Sequence, residues 1–224
     1  MGRVITQNVS QRATDTDGFS ANANVASGAS LVLDGALAST SEYGVVAVDL
    51  SAGMSQLVGF TTGATGSVAN ATIVGRDMFG NALTESVLLP GASSTVSSVE
   101  PFSYIGSITL DAAATNLSAG IIEANIQYAP WTPWNVNASD FNATISVELV
   151  SGTVNYTLEH TIQNDLLIAG PEPDNSFADS AMAAETGDNQ VALAQPITAS
   201  RIRINSGTDA VLRIKYLQAG GGYR

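Results

Sequence analysis

The chain has 224 residues, with 20 acidic and 8 basic side chains and a formal net charge of −12. Nucleic-acid binders need a basic surface to contact phosphates, so this composition argues against a nucleic-acid partner. With no cysteine and one histidine, the chain has no disulfide, no thiolate ligand and no multi-histidine metal centre, and we expect no cofactor. No run approaches the roughly 18 apolar residues of a membrane span, so we expect no membrane partner.

Residues 1–30 are polar and have few large apolar side chains after Val4 and Ile5. A segment without an apolar period has little to bury, so the sequence predicts an extended N-terminal arm that becomes ordered against a neighbouring subunit. Deletion of residues 2–20 is then expected to weaken binding to that neighbour and to leave the fold intact.

The next segment, residues 31–128, alternates between apolar and polar residues over short runs separated by Gly, Asn, Asp and Pro. Such alternation is typical of antiparallel strands with one buried face. The clearest hairpin has its turn at residues 75–81, which the Asp77 side chain closes and where Gly80 tolerates positive φ. The predicted strands of this half are 44–50, 56–61, 67–74, 83–89, 102–110 and 121–128.

The run at residues 129–134, Ala-Pro-Trp-Thr-Pro-Trp, interrupts the strand pattern and contains both tryptophans of the chain, Trp131 and Trp134. We predict a junction between two domains here, with the indoles wedged between them. A subunit interface, where tryptophan is enriched, and a sugar-stacking platform are the alternatives.

The second half, residues 135–224, alternates in the same way. Tight turns are predicted at Ser151 and Gly152 and at residues 206–209. The predicted strands are 142–149, 154–158, 201–204 and 212–216, with a long acidic loop at 170–190.

Half of the basic residues lie on the last two predicted strands: Arg201, Arg203, Arg213 and Lys215. They are either ordinary solvated strand faces or a basic edge that meets an acidic surface of a partner. With Trp131 and Trp134, these four are the candidate interface residues.

No residue is predicted to be catalytic, and the chain is predicted not to be an enzyme. His160 has no Gly-x-Ser-x-Gly elbow to accompany it, so we interpret it as a structural histidine rather than the base of a triad. Glu172 and Asp174 form a candidate glycosidase pair, but such enzymes line their grooves with aromatic residues, which are 6% of this chain.

Two segments hold carboxylates of the kind that bind cations. Asp15 and Asp17 begin like an EF-hand loop, but Phe19 occupies a ligand position. Asp77, Gly80 and Asn81 lie in the predicted hairpin turn. We interpret both segments as turns and predict no metal site.

Residues 31–128 resemble a domain that is common in structural proteins of tailed bacteriophages. Its hairpin pattern, Gly-x-Asp-x-x-Gly-Asn-x-x-Thr-Glu, matches residues 75–85, and its Phe-x-x-Ile-x-Ser-Ile strand matches the strand at 102–110. The second half resembles another phage pattern, a Gly-Thr-x-x-Tyr-Thr-x-x-His-Thr strand at residues 152–161 followed by a loop and two final strands at 202–219.

The alternation predicts an all-β protein with two antiparallel β-sandwich domains, of jelly-roll or Ig-like type, after the arm. The resemblance implies a structural protein of the virion, assembled in the bacterial host cytoplasm. It implies a capsid decoration, or cement, protein that binds the major capsid protein of the assembled head noncovalently, as a homotrimer. The alternative is a tail, neck or fibre component that binds host-surface carbohydrate through an exposed aromatic platform.

Overall fold

The computed structural model describes residues 3–40, 46–50, 54–64, 66–122, 126–136, 141–162 and 176–219. Antiparallel β-strands dominate these ranges, and the one helical element in them is a short 3₁₀ turn at Ser180–Met182. The strands form several sheets, none of which is closed. The predicted all-β class is therefore confirmed. Within the same ranges, no helix has the length and apolar character needed to cross a membrane.

Two compact units divide the chain. Residues 13–124 form the inserted unit, and residues 1–12 together with 125–224 form the flanking unit. The sequence instead predicts a domain junction at residues 129–134 and an arm at 1–30. Composition does not show that the first strand of the chain pairs with a strand far away in the sequence.

Residues 1–30 contribute one strand to each unit rather than a separate arm. β1 (Arg3–Ser10) pairs along its whole length with the last strand, β17 (Ala199–Gln218). β2 (Asp15–Val25) pairs with β11 (Ala114–Ile121). A search for apolar periods misses these strands because their side chains are mostly small or polar. Backbone hydrogen bonds to neighbouring strands hold them in place, and these bonds do not depend on an apolar side-chain pattern.

Two sheets build the inserted unit, one in the order β3-β4-β10-β7-β8 and the other in the order β2-β11-β6-β9. One apolar cluster includes Ile73 and Ile108 from the first sheet and Phe60 and Leu117 from the second. This shared cluster is consistent with sandwich packing. Besides β2 and β11, the strands of this unit are β3 (Ala38–Thr40), β4 (Val46–Asp49), β5 (Ser55–Gln56), β6 (Gly59–Thr62), β7 (Val68–Arg76), β8 (Ala82–Pro90), β9 (Thr95–Ser97) and β10 (Tyr104–Leu110).

The hairpin of β7 and β8 confirms the turn predicted at residues 75–81. Asp77 Oδ1 accepts hydrogen bonds from the backbone N–H of Phe79 at 2.8 Å and of Asn81 at 2.9 Å. Gly80 has a φ of +83°, a conformation that favours glycine. The Asp77 side chain therefore closes the turn as expected.

The flanking unit is organised around two long strands, β14 (Ala143–Thr161) and β17, which pair along their full lengths. The other edge of β17 carries β1 and two short strands, and the other edge of β14 carries two more. These short strands are β12 (Gln127–Tyr128), β13 (Thr132–Pro133), β15 (Phe177–Ala178) and β16 (Asn189–Leu193).

Both turns predicted in this unit are wrong, because β14 and β17 continue through them. Gly152 has a φ of +77° and Asp209 a φ of +50°, and the pairing register shifts on either side of Ser151. A glycine with positive φ serves a β-bulge as well as a hairpin turn, so the local sequence signal is the same. The residues predicted to reverse the chain instead bulge opposite each other.

Other strand predictions differ in detail. The sequence misses β11, whose small residues lack strand character, and places a strand at 121–128 where the structure has the end of β11 and the short β12. Of the acidic loop predicted at 170–190, residues 170–175, with Glu172 and Asp174, lie outside the described residues. The remainder contains β15, the 3₁₀ turn and the start of β16.

Candidate functional site

Arg201, on β17, is buried with 1% of its surface exposed, although arginine is seldom buried unless it is paired. Its Nε donates to Oε2 of Glu159 at 2.8 Å, because the strand register places the two residues opposite each other. The Arg201 Cζ also lies 4.3 Å from the ring centroid of Tyr128 and 4.4 Å from that of Trp131. Both contacts are within the range of cation–π interactions.

Glu159 is shared by two guanidinium groups. Its second oxygen, Oε1, lies 3.1 Å from Nη1 of Arg203, which is 38% exposed. Burial lowers the pKa of Arg201, and the Glu159 carboxylate opposes that effect. We call Tyr128, Trp131, Glu159, Arg201 and Arg203 the Arg201 cluster. It joins β12 and the segment before β13 to the two long strands.

A hydrogen-bond chain starts at Ser200, which precedes Arg201 on β17. The Ser200 side chain points to the sheet face opposite that of Arg201, because successive residues of a strand alternate between faces. Trp134 Nε1 donates to Ser200 Oγ at 2.7 Å. His160 Nδ1 lies 2.9 Å from the same Oγ, and its Nε2 lies 2.9 Å from Asp179 Oδ2. The neutral tautomer with hydrogen on Nε2 satisfies every link, since Ser200 then donates to Nδ1. We call these four residues the His160 chain.

The His160 chain has the residue types of a hydrolase triad, but it is enclosed. Ser200 is 0% exposed, and its oxygen already accepts a hydrogen bond from Trp134. Burial lowers the pKa of His160, and Asp179 opposes that effect. Asp179 also accepts from the backbone N–H of Ala181 and so caps the 3₁₀ turn. The arrangement attaches the segment at residues 177–182 to β14.

The structure places four of the six candidate interface residues in these two separate networks. Trp131, Arg201 and Arg203 lie in the Arg201 cluster, and Trp134 lies in the His160 chain. Trp131 is 4% and Trp134 8% exposed, so the rings do not form the exposed aromatic platform that carbohydrate binding requires. Trp134 instead packs edge-on against Phe141 and Tyr216.

The predicted basic edge is not present as an edge. β17 has neighbours on both sides, Arg201 is buried, and Arg203 is paired with Glu159. Arg213 Nη1 lies 3.0 Å from Oε2 of Glu148, its cross-strand neighbour. Lys215 is exposed between Thr6 of β1 and Ser146 of β14. The sequence shows the charges on β17 but not the carboxylates opposite them.

A shallow depression of about 560 Å³ lies beside β14 and β16. Polar and acidic side chains dominate its lining: Ser146, Val147, Glu148, Asp188, Asn189 and Gln190. It is open to solvent, so it offers a contact surface rather than an enclosed pocket.

The segments considered for cations have other partners. The Asp15 carboxyl has a raised pKa, first because of burial and then because of its hydrogen bond and proximity to Asp17. Asp77 closes the hairpin. Among the described residues, no group of three or more His, Asp or Glu side chains is placed to hold a metal ion.

No family model and no curated protein matches this chain.

Sequence reasoning missed Tyr128, Glu159, Asp179 and Ser200 as parts of these networks. Their importance follows from register: Glu159 opposes Arg201, and His160 opposes Ser200. No spacing within one strand contains that information. The one sequence signal for Glu159 is a carboxylate within a strand that is buried on both faces. That signal can be recognised only after the strand pairing is known.

Proposed function

We propose that this chain is a structural protein of a tailed-phage virion, namely a decoration protein that binds the assembled head noncovalently. The residues that carry the resemblance support this because they build sheets: residues 75–85 form the β7–β8 hairpin, 102–110 include β10, and 152–161 lie in β14. The resemblance to phage proteins thus rests on a framework of strands and turns.

The observation that carries the proposal is the outer face of β1, β17, β14 and β16. Cross-strand rows of mostly polar side chains cover it, for example the row of Thr6, Lys215, Ser146 and Gln190. Such a face makes many weak contacts over a broad area. On a symmetric lattice, repeated attachment converts modest affinities into tight binding.

Two of the candidate interface residues, Arg213 and Lys215, lie on this face. We propose that it contacts the major capsid protein and that copies assemble as a homotrimer on the head. The Arg201 cluster and the His160 chain act indirectly, by fixing the strands that present the face. We also propose that each unit is a β-sandwich, which in the inserted unit agrees with the apolar cluster shared by its sheets.

Heating virions that contain the protein and virions stripped of it tests the proposed function. A ligand that binds the native assembly stabilises it at every site, so stripped heads are expected to release DNA at a lower temperature. Adding the protein back is expected to restore the original temperature. If both particles melt alike and host adsorption is lost instead, the tail or fibre alternative is correct.

Substitution of Lys215 tests the proposed contact face, because this residue is exposed on that face and is the single lysine of the chain. Lys215→Glu is expected to reduce head occupancy at least tenfold, whereas Lys215→Arg keeps the charge and serves as the control. Equal occupancy for wild type and Lys215→Glu would contradict the assignment of this face.

A further inference from the structure

The outer side of the β7–β8 hairpin, with the adjoining β10, exposes apolar side chains. Val68 is 62%, Val74 45% and Leu88 55% exposed. The row between them is polar, with Thr72 opposite Ser86 on one side and Thr109 on the other. We call this surface the hairpin face; its members are Val68, Asn70, Thr72, Val74, Thr84, Ser86, Leu88, Ser107 and Thr109.

One charged residue stands at each end of the hairpin face. Asp111 accepts hydrogen bonds of 2.6 Å from both the backbone N–H and the side chain of Asn70, which lower its pKa and keep it ionised. Arg76, at the other end of β7, donates to the carbonyl of Gly80, and none of the ion pairs within the described ranges includes it. Six residues of strand separate the two ends, or about 20 Å.

We propose that the hairpin face binds the same face of a second copy of this chain. The two-fold axis lies between the two faces and crosses the strands near Ile73. It sets the two β7 strands antiparallel, so Arg76 of each copy meets Asp111 of the other. Copies with a net charge of −12 repel each other. At this contact the repulsion is offset locally, because each Asp111 carboxylate lies opposite Arg76 of the other copy.

The area of the face agrees with a weak dimer. β8, β7, β10 and the segment at residues 28–31, which hydrogen-bonds to β10, make four adjacent strips. These strips have nine, nine, seven and four residues. At about 3.3 Å per residue and a strand spacing of about 4.8 Å, they cover about 460 Å² per copy. The pair then buries about 920 Å², below the roughly 1,200–2,000 Å² of stable complexes.

Sedimentation of the purified full chain, without capsids, tests this proposal separately from the proposed function. The wild-type chain is expected to dimerise reversibly with concentration. Arg76→Glu and Asp111→Lys are each expected to weaken dimerisation at least tenfold, because each brings like charges together. An equimolar mixture of the two variants is expected to dimerise again, because both contacts in the mixed dimer then join opposite charges.

Leu88→Asp tests the apolar part of the face and is also expected to weaken dimerisation at least tenfold. Val150→Asp, at a similarly exposed valine on β14 in the other unit, is the matched control and is expected to dimerise like wild type. If Asp111→Lys does not fold, Arg76→Glu and Leu88→Asp still decide the result. A chain that stays monomeric, or an oligomer that none of these variants affects, would overturn the proposal.

Discussion

The Arg201 guanidinium loses its water on folding and receives a carboxylate and two aromatic rings in exchange. Removal of one partner from such a buried pair leaves an uncompensated charge. We therefore expect Glu159→Gln to lower the free energy of unfolding of the flanking unit by about 3–5 kcal/mol. Glu148→Gln removes the carboxylate that pairs with the half-exposed Arg213, and we expect a loss of about 0–1 kcal/mol.

Urea unfolding of both variants measures this difference. The double variant Glu159→Leu with Arg201→Met is expected to recover most of the loss, because it removes both charges together. Equal effects of Glu159→Gln and Glu148→Gln would show that the burial of the pair has no energetic consequence.

His160 gives the flanking unit a pH dependence. Its pKa is lowered in the folded chain from the ordinary value of 6.5, mainly by burial, so the unfolded chain binds more protons between the folded pKa and pH 6.5. The contribution of neutral His160 to the free energy of unfolding is therefore complete above pH 6.5 and decreases as the pH falls below that value. Because the chain has one histidine, its imidazole NMR signals report the titration without ambiguity.

We expect those signals to titrate below pH 6.5 in the folded protein. Urea unfolding at pH 7.5 and 5.5 is expected to show a smaller pH effect for His160→Gln than for wild type. An imidazole that titrates above pH 6.5 in the folded chain would contradict this prediction, since Asp179 would then outweigh burial.

At the scale of the strand, the bulge at Gly152 decides whether β14 continues or turns. A Cβ at this position would lie 2.4 Å from the backbone oxygen of Asp209, at a φ of +77°. Gly152→Ala is therefore expected to destabilise the flanking unit by at least about 1–3 kcal/mol, because the steric clash adds to the strain of a positive φ. Gly187→Ala is the control, because a Cβ there meets nothing within 4 Å, and we expect a change within about 0.5 kcal/mol. Thermal melting compares the two, and similar melting temperatures would contradict the bulge assignment.

The same elements show how much the sequence alone could predict. The β7–β8 hairpin was predictable because Asp77, Gly80 and Asn81 carry local turn chemistry. The continuation of β14 past Gly152 was not, because bulges and turns use the same residues. The Arg201 cluster was half predictable: its arginines and Trp131 are conspicuous in the sequence, but Glu159 becomes relevant only through cross-strand register.

At the scale of the whole molecule, β1 belongs to the flanking unit through eight residue pairs with β17. Deletion of residues 1–12 is therefore expected to expose the edge of β17 and to lower the stability of that unit, contrary to an arm that can be removed without effect on the fold. Hydrogen exchange measured by mass spectrometry is expected to show at least tenfold faster exchange in peptides covering Val211–Gln218. Peptides from residues 13–124 serve as the internal control. Unchanged protection of β17 would contradict this prediction.

The pairing of β1 with β17 also sets an order of events during translation. Arg3 is paired with Gln218, so this ladder cannot form until residue 218 has left the ribosome, whereas residues 13–124 are available to fold much earlier. At about 5–20 residues per second, synthesis of residues 125–218 takes on the order of 5–20 s. During that interval the nascent chain carries a folded inserted unit and an unpaired β1. Ribosomes that stall in this window are therefore expected to hold a protease-resistant fragment of the inserted unit, with β1 still open to cleavage.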